Sequence, residues 1–196
     1  MNQLILASTS PYKKMLLERL GLEFTCRNPE VDETPLAGES PKDLALRLAE
    51  QKATAVANQI PGAWVIGADQ VEELDGQILG KPGNHQRAVE QLKTQSGRSM
   101  HFHCGICLAQ CSIGEGEIIK QVRLNTTEVQ FRHLNSQQIE RYLLADKPYD
   151  CAGSFKGEAL GISLFSAVYS NDPSSLIGLP LIDLCTMLGD WGLEVP

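Results

Sequence analysis

At 196 residues, 42% hydrophobic and 21% charged, the chain is long enough to bury a sizeable core as one domain over 1–196, or as one domain in two lobes. A net charge of −7 argues against binding to nucleic acid polymers, so an anionic ligand such as a polyphosphate needs a local basic pocket or a divalent cation. No apolar run approaches the roughly 18 residues of a membrane span, and Met1 to Ser10 lacks a basic region, so a cytoplasmic location is expected, with no membrane partner.

Leu4-Ile5-Leu6-Ala7 reads as a short apolar strand. Ser10 and Pro11 predict a helix start, with Ser10 as N-cap, and Gly21 ends the helix. That start joins free N–H groups, the hydroxyls of Ser8, Thr9 and Ser10, and two lysines, Lys13 and Lys14. The combination suits phosphate oxygens, although a capped surface helix is the plainer reading. Leu22 to Cys26 reads as a second strand and 28–40 as a loop holding Asp32, Glu33 and Glu39. Ser40-Pro41 starts a helix reaching about Ala57, in which Leu44, Leu48, Ala49 and Lys52 share a stripe. Lys52 there either snorkels to solvent or points into a cleft. Asn58 to Gly62 is a turn.

Ala63-Trp64-Val65-Ile66 predicts a buried strand running into Gly67, with Asp69 and Gln70 at or just past that glycine. Asp75-Gly76 reads as a type I′ turn, and the chain returns through Gln77-Ile78-Leu79 to Gly80-Lys81-Pro82. An acid and a lysine at the ends of neighbouring strands suit a metal–phosphate site. An ordinary hairpin with a surface ion pair is the other reading. Asn84 then caps a helix from His85 to Lys93. Strands Ser99–Ala109 and Glu117–Arg132 follow, joined by a hairpin loop over 113–116. Asn135 caps a helix to about Ala145, and 147–156 is a loop of small and polar residues. A short strand over Leu160–Phe165, a turn or helix starting at Asp172-Pro173 and a final helix over Leu181–Leu188 complete the chain. Strands mixed with helices, including adjacent hairpins, predict a mixed α/β sheet with flanking helices.

The six cysteines, scattered from Cys26 to Cys185, do not form the framework of a small secreted protein. His101, His103, Cys104, Cys107 and Cys111 invite a zinc reading, but the segment alternates like a strand and puts Cys104 on the opposite face from His101, His103 and Cys107. Buried free thiols are the better account.

Eight ordered stretches together resemble the Maf family of nucleoside triphosphate pyrophosphatases. They are Leu6 to Pro11 with basic residues at 13 and 14; Asp32-Glu33; Leu48 to Ala53; Gly67-Ala68-Asp69-Gln70; Gly80-Lys81-Pro82; Ser96-Gly97; Lys147 to Ser154; and Ile177-Gly178-Leu179-Pro180. Within the family the chain is similar to the branch acting on 7-methyl-GTP, the pointers being an aromatic Tyr12, Gln70 and the Cys-Ala-Gly-Ser run ending at Ser154.

The resemblance implies an elongated mixed α/β fold (Maf / ITPase-like) with two lobes around a nucleotide-binding cleft, often as a homodimer. It implies hydrolysis between the α- and β-phosphates, giving a nucleoside monophosphate and pyrophosphate, with Mg²⁺ or Mn²⁺ as cofactor. It implies Asp69, Glu33 and Lys81 as catalytic residues, with Glu33 and Asp69 as metal ligands. Tyr12, Gln70 and Ser154 are implied as specificity positions, and Ser8, Lys13 and Lys52 as phosphate-binding. A triphosphate carries about four negative charges, which these lysines and a divalent cation can answer locally.

Two other readings stand beside this one: the dTTP/UTP pyrophosphatase branch, which typically has arginine, threonine and glutamine at positions 12, 70 and 154, and a non-catalytic nucleotide-binding regulator of cell division. Three departures from the family pattern are Lys13-Lys14 where arginine is usual, Glu72-Glu73 in a strand that is usually apolar, and Ala159 where glycine is usual. At least one of the two glutamates must face outward, and the other needs a partner or a bend in the strand.

Overall fold

The computed structural model describes residues 3–114 and 116–195. The elements in order are β1 (Leu4–Leu6), α1 (Pro11–Glu18), β2 (Thr25–Cys26), α2 (Pro41–Gln59), β3 (Trp64–Leu74), β4 (Gln77–Leu79), α3 (His85–Gln95), β5 (Ser99–Cys111), β6 (Ile118–Phe131), α4 (Ser136–Asp146), β7 (Phe165–Tyr169) and α5 (Leu181–Asp190). The strands form one mixed sheet in the order β2-β1-β3-β5-β6-β7, with β4 also paired to β3. β1 runs parallel to β2 and β3, and the remaining pairs are antiparallel. The fold is the mixed α/β architecture that the element pattern predicts.

Alternation along the strands divides the core into layers. Ile5, Val65, Cys107 and Ala109 turn to one face and pack on Ala49, Ala53 and Val56 of α2. Leu4, Leu6, Ile66, Ile106 and Leu108 turn to the other, against Leu16 and Leu17 of α1 and Leu184, Met187 and Leu188 of α5. A further cluster at the far end joins Leu74, Met100, Phe102, Phe131 and Phe155 to Leu92 of α3 and Leu143 of α4. The cleft lies where the second and third of these clusters part.

Four helix starts follow their predicted caps: the side chains of Ser10, Ser40, Asn84 and Asn135 accept from the backbone N–H groups of Lys13, Asp43, Arg87 and Gln138. The Asp75-Gly76 turn also forms, with φ of 49° and 77°, both left-handed as type I′ requires.

Some boundaries differ from the sequence reading. β3 does not end at Gly67; it continues through Asp69 and Gln70 to Leu74, because β5 pairs with it from Val65 to Glu73. Of the expected strand Leu22–Cys26, Thr25–Cys26 pairs. α2 runs two residues further, to Gln59. The expected strand at Leu160–Phe165 is a 3₁₀ turn over Leu160–Leu164, and pairing begins at Phe165. There Gly161 N donates to Lys156 O and Ser163 Oγ to Leu160 O, so local hydrogen bonds outcompete the sheet. The expected loop over 113–116 includes residue 115, and the start of the chain includes residues 1 and 2, which lie outside the described residues.

Cys104, Cys107 and Cys111 are buried and free, and burial pushes the Cys104 and Cys107 thiols up to about 12. His103 is held by Glu73 Oε2 at 2.6 Å and Thr126 Oγ1 at 2.9 Å, and His101 stacks on its ring. Among the described residues, no three His, Cys, Asp or Glu side chains are grouped to hold a metal ion by themselves. No helix among them is long and apolar enough to cross a membrane.

Candidate active site

The cleft begins as a gap in the sheet. On one edge of β3, β1 pairs from Trp64 to Ile66 and β4 from Glu72 to Leu74. Among the described residues, 67–71 therefore have no strand on that edge. Lys13 Nζ reaches in from α1 and donates to Ala68 O at 2.9 Å, satisfying one backbone acceptor of the open edge. Burial there lowers the Lys13 pKa, opposed by the charge of Asp69. Lys14 points outward and meets Glu18 instead, so position 13 is the basic position of the cleft. Gly178, at φ 112°, lets the 175–180 segment pass the Lys13 stem.

α2 brings the second lysine. Its backbone lies against two strand glycines: a Cβ at Gly67 would stand 2.2 Å from Ala49 O, and one at Gly105 2.3 Å from Ala45 O. This close approach drops Lys52 beside Asp69 of β3. Lys52 Nζ donates to Asp69 Oδ1 at 2.5 Å and meets Glu33 Oε1 at 2.6 Å. Burial alone would lower the Lys52 pKa, but the two carboxylates outweigh it and hold the ammonium charged. Burial likewise opposes ionisation of Glu33, yet Lys52 keeps its pKa below the ordinary value.

The resulting cavity holds about 510 Å³, within the usual range for small-molecule sites. Its walls include Ser8, Ser10, Tyr12, Lys13, Glu33, Lys52, Asp69, Gln70 and Lys81. Eight of the nine sequence-predicted site residues are therefore brought together: Ser8, Tyr12, Lys13, Glu33, Lys52, Asp69, Gln70 and Lys81. A larger hollow of about 890 Å³, lined by Leu4, Leu22, Phe24, Trp64 and Trp191, has one carboxylate and no cation among its lining residues, so it is poorly suited to a polyphosphate.

Ser154 is the ninth, and it is not on the wall. It is fully buried, with a left-handed φ of 63°, and its Oγ hydrogen-bonds Gln91 Oε1. Gln91 also donates to Gly80 O at 3.0 Å, and Gln95 to Gly153 O at 2.9 Å. α3 thus ties the Cys-Ala-Gly-Ser loop to the segment that presents Lys81. Gln70 is similarly engaged: its Nε2 donates to Ser175 O at 2.7 Å and Leu176 O at 3.1 Å. Both amide hydrogens are used, so Gln70 faces the cavity with an acceptor to spare and no donor.

The sequence reading missed Gln91 as a positioning residue, and it left Glu72 open. Of the two glutamates, Glu73 pairs with His103, while Glu72 lines the cavity at 9% exposure. Burial pushes the Glu72 carboxyl up to about 8. Ala159, another departure, has φ −126°, which needs no glycine.

Three lysines, 13, 52 and 81, face five carboxyl residues on the wall: Glu33, Asp69, Glu72, Asp150 and Glu158. A polyanion entering such a cleft needs further positive charge. Glu33 and Asp69 are hard oxygen donors, and one or two carboxylates completed by substrate phosphates is the usual protein contribution to Mg²⁺. The donor set therefore fits a divalent cation.

Residues 3–191 match the Maf family, described as Maf-like protein. A protein of Xanthomonas oryzae pv. oryzae is 54% identical over 196 residues, all of both chains. One of Pseudomonas syringae pv. tomato is 50% identical over 196 residues, again all of both. One of Albidiferax ferrireducens is 49% identical over 193 residues, 98% of this chain and 95% of that one. Each of the three relatives bears the name 7-methyl-GTP pyrophosphatase. A match across nearly the whole chain, with these relatives aligned along its length, shows that the chain belongs to the Maf family.

Proposed function

We propose that the protein hydrolyses the α–β phosphoanhydride bond of 7-methyl-GTP, releasing pyrophosphate and the nucleoside monophosphate. The observation that carries this reading is the clasp of Lys52 between Asp69 and Glu33, in a cleft edged by Lys13 and Lys81. The substrate comes from the names of the full-length relatives.

Lys52 fixes Asp69 through Oδ1; among the described residues Oδ2 has no hydrogen-bond partner. On this reading Asp69 accepts the proton of the attacking water. Lys13, Lys81 and the N-terminus of α1 hold the triphosphate oxygens, with the Ser8 and Ser10 hydroxyls beside them. Glu33 and Asp69 would hold a divalent cation, Mg²⁺ or Mn²⁺, which when bound offsets phosphate charge and makes its water more acidic. Tyr12 lines the same cavity, and its ring suits the cationic 7-methylguanine, an attraction of roughly 0.5–2 kcal/mol. Buried Ser154 would act on specificity through Gln91 and the shape of its loop.

The test is pyrophosphate release from 7-methyl-GTP, GTP, dTTP and UTP with Mg²⁺ or Mn²⁺, and again after chelation. We expect 7-methyl-GTP to be preferred and turnover to vanish with the metal. Preference for dTTP and UTP would move the chain to the other branch, and tight binding without turnover would make it a regulator.

A further inference from the structure

Three carboxyl residues on the cavity wall, Glu72, Asp150 and Glu158, have no role in the chemistry just described, and of these Glu72 alone is buried. Glu72 lines the wall at 9% exposure, and among the described residues no side chain hydrogen-bonds its carboxyl. Its place is set by register: Glu72 stands opposite Phe102 of β5, and strand alternation puts it on the same face as Gln70. Asp69 meets Lys52 from the α2 side, whereas Gln70 reaches the 175–176 backbone on the other. Glu72 and Gln70 therefore share a wall with the rings of Phe102 and Phe155. That wall is flat-ringed, apolar and supplied with acceptors, since both amide hydrogens of Gln70 are already used.

The geometry points to Glu72 as a specificity-determining residue that selects guanine, its carboxylate accepting from N1–H and from the exocyclic N2 amine. This rests on the nucleotide reading above. Guanine presents two adjacent donors on that edge. Uracil and thymine present a single N–H flanked by carbonyl acceptors, which a carboxylate repels. Methylation at N7 adds a positive charge to the ring, which strengthens the attraction to an anion in a cavity of low dielectric. Burial outweighs the hydrogen bond from its own backbone N–H and the more distant charges of Lys13 and Lys81, so the Glu72 carboxyl is held mostly neutral at pH 7 in the empty cleft. An arriving cationic base adds counter-charge to that of Lys13 and Lys81, and the carboxyl proton leaves to solvent.

Glu72→Gln keeps the shape, retains one acceptor and turns a donor toward guanine's donors. Glu72→Asp keeps both acceptors one methylene further back. We would measure kcat and KM for 7-methyl-GTP, GTP and UTP, with thermal melts to verify folding. With Glu72→Gln, KM for 7-methyl-GTP should rise roughly 10- to 100-fold, the scale of one charge-assisted hydrogen bond. KM for GTP should rise less, KM for UTP should not rise, and kcat should stay within about twofold. Glu72→Asp should recover part of the loss. Equal shifts for all three nucleotides, a fall in kcat for all, or no change at all would each overturn the assignment. A calorimetric comparison of 7-methyl-GMP with UMP, on wild type and Glu72→Gln, reads the base preference without turnover. Failure of the wild type to hydrolyse 7-methyl-GTP strikes the substrate reading alone. Absence of a Glu72-dependent preference between the monophosphates strikes this inference alone.

Discussion

Replacing Gly67 by alanine tests whether the closeness of α2 to the sheet is what builds the site. An ideal Cβ at Gly67 would lie 2.2 Å from Ala49 O, 2.6 Å from Ala53 N and 2.9 Å from Ala53 Cβ. Two of these are helix backbone atoms and the third is fixed to the backbone, so no flexible side chain can yield. Relief requires α2 to retreat by on the order of 1 Å, given ordinary contact near 3.5 Å. Overpacking of this kind costs about 1–3 kcal/mol, and rigid backbone on both sides puts Gly67→Ala at the upper end. The same retreat lifts Lys52 off Asp69, now at 2.5 Å. A misplacement of about 1 Å can cost roughly 100-fold in rate. Urea unfolding and pyrophosphate release on the same sample read both effects. Gly189→Ala is the control: among the described residues nothing lies within 4 Å of its Cβ position inside α5, so stability should be unchanged or rise slightly. A Gly67→Ala protein with wild-type stability and turnover would refute the reasoning.

Asp69→Asn keeps the shape of the side chain and removes its charge; we expect a folded protein, because Lys52 retains Glu33, and a fall in kcat of at least about 100-fold, measured by pyrophosphate release. Lys81→Ala should raise KM for the triphosphate by about 10-fold or more, whereas Lys120→Ala should not, since Lys120 lies on β6 paired with Glu50; equal small effects would make Lys81 ordinary surface charge. Stability should depend on pH through Glu72: between the unfolded value of 4.5 and about 8 the folded chain keeps a proton that the unfolded chain has lost, so stability falls as pH rises through that window and levels off above it. At about 1.4 kcal/mol per pH unit this amounts to several kcal/mol, so Glu72→Gln should match wild type near pH 4.5 and be more stable at pH 8 in urea titrations; a difference independent of pH contradicts it.

The parts of the fold that could be read in the sequence are those decided within a few residues. A serine or asparagine cap and the N–H it accepts from are three positions apart, and all four caps form as expected. The Asp75-Gly76 turn is local in the same sense. The failures have distant causes. Gly67 looks like the end of a strand because glycine is a poor strand residue, but its use is to admit Ala49 and Ala53 from another element. The apolar run at Leu160–Phe165 has strand composition, yet Leu160 and Ile162 are exposed while the chain turns on Lys156 O. Composition does not register such a contact.

The site divides along the same line. Ordered motifs name the residues that meet in the cleft, because each motif is a short string. What each side chain does there depends on partners far along the chain. Gln70 looks like a group that can donate and accept, but the carbonyls of Ser175 and Leu176 take its hydrogens and leave it an acceptor. Ser154 looks like open space at the base, but its hydroxyl is fastened to Gln91. For Glu72 and Glu73, strand alternation establishes that the two face opposite ways and is silent on which side is solvent. Pairing decides it. β1 ends at Leu6, opposite Ile66, and β4 ends at Leu79, opposite Glu72, so the open edge and the cavity lie between them. Glu73 finds His103 across the sheet, and Glu72 borders the gap with no hydrogen-bonding side chain among the described residues. A buried carboxyl answered by its own backbone N–H alone costs stability in the empty protein. The charges of Lys13 and Lys81 offset part of that cost, and a ligand that is positive or rich in donors would offset more, which on the inference above gives Glu72 its purpose at the ligand rather than in the core.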